Sequence, residues 1–137
     1  AWAFKNILDP LREDGTLKAC YIKGDYLFSH AGITKTWIAK YGIDLNNLEQ
    51  EVNDLFKKNI YAFGFQEDKS TRYPNNYGDD IFQSPMWVRP TSLSLDKLEN
   101  YTYVVGHTYI PEPTLKDNIW FTDCHQDAPD KFLILDI

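Results

Sequence analysis

The sequence predicts an α/β fold built as one domain over residues 1–137. Three observations carry that prediction. Apolar residues recur at helical spacing in two stretches, around Phe4–Arg12 and Leu45–Ile60. Short β-branched and aromatic runs, such as Thr102–Val105, stop abruptly at glycine or at a histidine. And 137 residues with 43 % hydrophobic and 15 % aromatic content are enough to bury a core, which excludes disorder as the default state.

Taken in order, Phe4, Ile7, Leu8 and Leu11 have helical spacing, with Pro10 limiting how far that helix extends. Glu13–Thr16 reads as a turn. Leu17–Ile22 and Tyr26–Ser29 read as strands joined by the hairpin signal Lys23-Gly24-Asp25. Thr34–Tyr41 is a short helix, capped by Thr34 and stopped by Gly42. Asp44 or Asn46 caps the longest helix, whose stripe Leu45, Leu48, Val52, Leu55, Phe56 and Ile60 faces the core, while its acidic residues form a solvated face. Gln66–Asp80, with Pro74-Asn75-Asn76 and Gly78, is a surface loop in which Asp79 and Asp80 are ordinary loop acids. Ser92 or Ser94 caps a helix that runs to Asn100, and the strand Thr102–Val105 follows. Pro111-Glu112-Pro113 is a rigid turn, and Asn118–Thr122 pairs with Phe132–Ile137 in a terminal antiparallel ribbon.

A net charge of −6 argues against a nucleic-acid-binding surface or an anionic membrane partner. No apolar run approaches the roughly 18 residues of a membrane span, and the N-terminus has no signal-peptide pattern. Cys20 and Cys124 are too few for a disulfide framework and match no zinc spacing, so the expected compartment is reducing and cytoplasmic. Cys20, in an apolar strand, reads as a small buried thiol.

Two of the three histidines end apolar strands. Tyr26–Phe28 runs into Ser29-His30-Ala31-Gly32, and Tyr103–Val105 into Gly106-His107-Thr108. Ligands in open α/β sheets bind outside the carboxyl ends of strands, and neutral imidazole is the commonest metal ligand. The pair makes divalent-metal chemistry the first hypothesis. Arg89, one of three arginines, lies in Met86-Trp87-Val88-Arg89-Pro90, and its planar fork suits a phosphate in a way that lysine does not. Ser29 lacks the Gly-x-Ser-x-Gly setting of a nucleophile. His125 reads as exposed or structural.

Phe28–Ile33, Trp87–Pro90 and Val104–Thr108, in that order, resemble the C-terminal half of a calcineurin-like metallophosphoesterase of the bacterial and phage serine/threonine protein phosphatase type. The likeness runs from Leu8 to Ile137. It implies half of a β-sandwich flanked by helices. It also implies that His30 and His107 bind the second of two divalent metals (manganese, iron or zinc), and that Arg89 clamps phosphate. Trp87 would be a wall of the groove, and Asp123 a carboxylate that orients a metal-bound histidine.

Of the Asp-x-His, Gly-Asp-x-x-Asp-Arg and Gly-Asn-His motifs, which in the N-terminal half supply that family's remaining ligands and its general acid, the last two do not occur, and the one Asp-x-His string, Asp123-Cys124-His125, lies near the C-terminal end instead. Asp123–Asp130 also departs from the family's Asp-Thr-Gly turn. The expectation is therefore a fragment whose partner is a missing N-terminal half, inactive alone. The parent enzyme would hydrolyse a phosphorylated protein or a small phosphorylated molecule with metal-bound hydroxide. A dinucleoside polyphosphate hydrolase is a close variant. A non-catalytic binding or regulatory module that keeps the fold is the rival from another class, and a carbohydrate-binding aromatic sandwich a weaker one.

Overall fold

The computed structural model describes residues 2–66 and 78–137. Its helices are α1 (Trp2–Glu13), α2 (Lys35–Lys40), α3 (Leu48–Lys58) and α4 (Pro90–Asp96). Its strands are β1 (Cys20–Lys23), β2 (Tyr26–Ser29), β3 (Thr102–Val105), β4 (Thr114–Lys116) and β5 (Ile119–Phe121). The strands form one mixed sheet in the order β1-β2-β3-β5-β4. The pairs β1·β2 and β4·β5 are antiparallel, whereas β2·β3 and β3·β5 are parallel. The α/β class is thus observed. Among the described residues, however, there is one five-stranded sheet and no second sheet, so the expected sandwich is not seen.

The core lies on one face of that sheet. Leu27, Tyr103 and Ile119 are aligned neighbours across three strands, all fully buried with Ile33 from the β2–α2 connection and Trp37, Val52 and Leu93 from the helices. Each such side chain contributes about 1.5–3 kcal/mol by leaving water. The Tyr103 hydroxyl spans the layers, donating to the Ile33 carbonyl at 2.7 Å and accepting from the Leu98 amide at 2.9 Å. Without those bonds its burial would be costly.

Several boundaries differ from the sequence reading for physical reasons. Pro10 lies inside α1, where the Asp14 amide still reaches the Pro10 carbonyl. β1 begins only at Cys20, because the Ala19 and Cys20 amides both donate to Asn53 Oδ1 on α3 rather than to a strand. Asp44 caps a one-turn 3-10 segment, Leu45–Asn47, and α3 proper starts at Leu48. The expected helix capped by Ser92 or Ser94 instead starts at Pro90, a residue suited to the first helical position. The Ser92 amide and hydroxyl both donate to Asp79 Oδ1, at 3.0 and 2.7 Å.

The terminal ribbon is corrected as well. Ile119–Phe121 pairs with β3 and with Thr114–Lys116, and Phe132–Ile137 forms no strand. The two-residue turn Asp117-Asn118, with φ of 52° and 63°, closes that hairpin in the left-handed region that short β-turns favour. Of the predicted loop 66–80, residues 67–77 lie outside the described residues. No helix among the described residues is long and apolar enough to cross a membrane.

Candidate functional site

β2 and β3 are parallel neighbours, so their C-terminal ends open on the same edge of the sheet. His30 follows the last residue of β2 and His107 lies two residues beyond β3. The Gly106 amide donates to the His30 carbonyl at 2.9 Å, which ties the two turns together. A Thr108 amide bond to the Gly106 carbonyl (2.8 Å) then closes a three-residue turn around His107, whose φ is 67°. A non-glycine residue held there costs on the order of 1–3 kcal/mol, and such strain gathers at functional sites.

The turn brings the rings together. His30 Nε2 and His107 Nδ1 are 3.1 Å apart, and the ring centroids are 4.9 Å apart at 62°. As neutral imidazoles, one ring donates to the other. The His107 pKa is lowered, first by burial, then by the His30 ring and the Arg89 guanidinium. The Trp87 backbone and the Asp123 charge pull more weakly the other way. His107 Nε2 is buried with no hydrogen-bond partner among the described residues, and so is Ser29 Oγ.

Arg89 stands on the same edge. Pro90 restricts it to extended backbone (φ −94°, ψ 159°) just before α4, and its Nη1 donates to Thr108 Oγ1 at 3.2 Å. Trp87 sets its edge against the His107 ring at 5.7 Å and 82°, and Phe65 backs it at 5.4 Å. An arginine, two imidazoles and an indole therefore lie together at one strand-end edge of the sheet.

Asp123 is placed near His107 but makes no hydrogen bond to either ring among the described residues. Its backbone carbonyl accepts from the Ile110 amide, and it acts on His107 only through its charge. His125 is exposed. Asp79 and Asp80 are engaged in local structure, Asp79 with Ser92 and Asp80 with the Phe82 amide and Gln83. Both thiols are buried. Burial pushes the Cys20 thiol up to about 12, and Cys124 Sγ faces the Lys131 carbonyl at 3.4 Å. Thr108, as the partner of Arg89, is the site residue the sequence reading missed. Its only signal was its place after Gly106-His107.

No group of three or more histidine, cysteine or acidic side chains positioned to hold a metal occurs among the described residues. The two facing ring nitrogens, His30 Nε2 and His107 Nδ1, lie within the roughly 4.2 Å that two ligands about 2.1 Å from one ion can span, whereas the unpartnered His107 Nε2 is the ring's other nitrogen.

No protein-family model matches the chain, and no curated protein matches it. Solved structures do. A point mutant of a cold-active protein tyrosine phosphatase aligns with 86 % of this chain and 37 % of its own, at TM-score 0.53 and 17 % identity. A 1.1 Å structure of a cold-active protein tyrosine phosphatase gives the same score, identity and coverage of this chain, over 36 % of its own length. A third, from a psychrophilic Shewanella species, aligns at TM-score 0.48 and 16 % identity. The chain thus spans little more than a third of the structures it matches. These findings correct the family resemblance. The solved folds it shares are named protein tyrosine phosphatases and no family model matches, so membership of the calcineurin-like metallophosphoesterases is not upheld. At this identity the likeness establishes a shared fold.

Proposed function

We infer that this chain carries part of a phosphate monoester hydrolase site. In it His30 and His107 hold a divalent metal ion, and Arg89 receives the phosphoryl group of a phosphorylated protein or small molecule. The observation that carries this reading is the 3.1 Å approach of His30 Nε2 to His107 Nδ1 beside Arg89. The phosphatase names of the matched structures favour the same reaction class.

The chemistry of the chain narrows the mechanism. Thiolate attack needs a partly exposed cysteine of depressed pKa. Both cysteines here are buried, and Cys20 is shifted the opposite way. Manganese, iron or zinc, when bound, would supply a Lewis acid and a hydroxide nucleophile at neutral pH. The protein's own part is to keep the His107 imidazole neutral, which its lowered pKa favours. It also aims Arg89 by its bond to Thr108 and walls the cleft with Trp87.

With two imidazoles alone, the 137-residue chain is expected to hydrolyse p-nitrophenyl phosphate little or not at all. The direct test is calorimetric titration with Mn²⁺ and Zn²⁺. Wild type should take up metal, His30→Ala and His107→Ala should each abolish uptake, and Arg89→Lys should keep it while weakening inorganic phosphate binding. Equal uptake by wild type and the double histidine variant would sink the reading. The small donor set also favours a second reading, a non-catalytic binding module. A complete reading-frame product that binds metal and phosphate without turnover would bear that out.

A further inference from the structure

Two large rings beside the histidines stand in the open. Trp87 is 40 % exposed and Phe65 46 % exposed, whereas Trp37 and Phe63 are buried in the core. The two meet at a right angle, 5.4 Å between centroids and 83° between planes. Trp87 meets the His107 ring in the same way, at 5.7 Å and 82°. Single exposed apolar side chains are ordinary on a protein surface, but adjoining ones beside a polar site mark a binding surface.

A second observation is how firmly the pair is held. Gln83 is buried, and its side-chain amide grips the Gln66 backbone, accepting from the nitrogen at 3.0 Å and donating to the carbonyl at 2.6 Å. The buried Ser84 hydroxyl donates to the Phe63 carbonyl at 2.8 Å, and the Ser84 carbonyl accepts from the Trp87 amide at 3.0 Å. The backbone on both sides of Phe65 is thereby fastened to the turn that carries Trp87. Gly78, with φ of 84°, packs against both residues. A Cβ there would lie 3.1 Å from Phe65 Cε2 and 3.3 Å from the Trp87 carbonyl oxygen. Buried polar groups satisfied in this way rigidify what they join, and here they join two exposed rings.

We propose that Trp87 and Phe65 seat a flat ring carried by the phosphate ester, so that the site selects ring-bearing esters over alkyl phosphates. This rests on the phosphatase reading, in which Arg89, two residues beyond Trp87, receives the phosphoryl group. A ring laid against a right-angled pair stacks on one member and meets the edge of the other, the two arrangements that aromatic rings prefer. Such stacking tolerates different rings, because each has a π face. An aryl phosphate and a nucleotide share this chemistry. The other apolar ground beside the histidines is a groove of about 400 Å³ along Tyr21, Phe28, Val104 and His30. It fits less well, because Arg89 does not line it.

Calorimetric titration in the presence of Mn²⁺ tests this by binding alone, with phenyl phosphate, adenosine 5′-monophosphate, O-phosphoserine and inorganic phosphate as ligands. Wild type should bind at least one ring ester about fivefold or more tighter than O-phosphoserine, and the tighter of the two ring esters identifies the source. Trp87→Leu should abolish that preference. Trp87→Phe, which keeps a ring, should retain most of it, so that a loss in Trp87→Leu is distinguished from a failure to fold. Arg89→Lys should weaken every ligand alike and leave the preference in place. Equal affinity of wild type for ring esters and O-phosphoserine overturns the ring seat while the phosphatase reading stands. A preference that survives Trp87→Leu overturns it in favour of the Tyr21–Phe28 groove. Uptake of none of the four ligands removes the phosphatase reading and the ring seat with it.

Discussion

The covered and bare faces of one sheet are made from the same strands, with nearly the same apolar content, and behave differently. On the covered face the row Leu27-Tyr103-Ile119 is sealed by Ile33, Trp37, Val52 and Leu93, and its one polar atom, the Tyr103 hydroxyl, is bonded twice. On the other face the Tyr21 and Phe28 rings lie tilted against each other at 5.8 Å, with Tyr21 exposed and Phe28 half-buried. Side-chain chemistry alone does not tell these rows apart. What differs is whether another element is available to pack against them.

The largest effect should come from breaking the sealed face. Leu27→Ala is expected to cost about 2–5 kcal/mol, lost transfer energy plus a cavity that closed packing cannot fill, read from urea unfolding of the chain. Gly32→Ala follows at about 1–3 kcal/mol. Its φ of 113° disfavours any side chain, and a Cβ there would lie 2.4 Å from Leu93 Cδ2 and 2.6 Å from Cδ1. A wild-type-like unfolding midpoint for Gly32→Ala would show that Leu93 moves aside freely.

Sharpening the comparison from the other side, Phe28→Ala should cost less than Leu27→Ala, because Phe28 keeps part of its surface in water whereas Leu27 keeps none. A cost equal to that of Leu27→Ala would erase the distinction between the faces. The smallest effect is on pH. His107 is held below its ordinary value in the fold, so the stability it contributes is full above about 6.5 and is lost as pH falls through the folded value. Between about pH 7 and pH 5 the urea midpoint should therefore fall slightly more for wild type than for His107→Gln. Identical slopes would show that His107 adds nothing to this dependence.

Much of the local structure was legible in advance. Thr34 caps α2 as its residue type suggests, accepting from the Trp37 amide at 3.1 Å. Of the expected stripe, Leu48, Val52 and Phe56 are buried and Leu55 partly so, whereas Leu45 and Ile60 at its two ends lie outside the helix and are exposed. The strand ends carrying His30 and His107 fall where Gly32 and Gly106 mark them. Other features were not legible, because a distant group outcompeted the local one. Asn53 lies off the apolar stripe of its helix, yet it takes two amides of the β1 segment and donates to the Cys20 carbonyl. Pro90, rather than Ser92 or Ser94, opens α4, because Asp79 holds Ser92. The terminal ribbon failed because Thr114–Lys116, joined to β5 by a two-residue turn, reaches the Ile119 edge at far lower loop entropy than Phe132–Ile137 would.

By itself the sequence determined which short segments are extended or helical, and that two histidines and an arginine sit at strand and helix boundaries. Those are consequences of side-chain period and of what glycine and proline allow the backbone to do. Only the tertiary structure decided that β2 and β3 lie side by side and parallel, which is what closes His30 and His107, 77 residues apart in the chain, to 3.1 Å. The same pairing leaves one apolar row without cover. Strand neighbours and buried faces are settled by competition among distant surfaces for burial and hydrogen bonds, and no local pattern records the outcome of that competition.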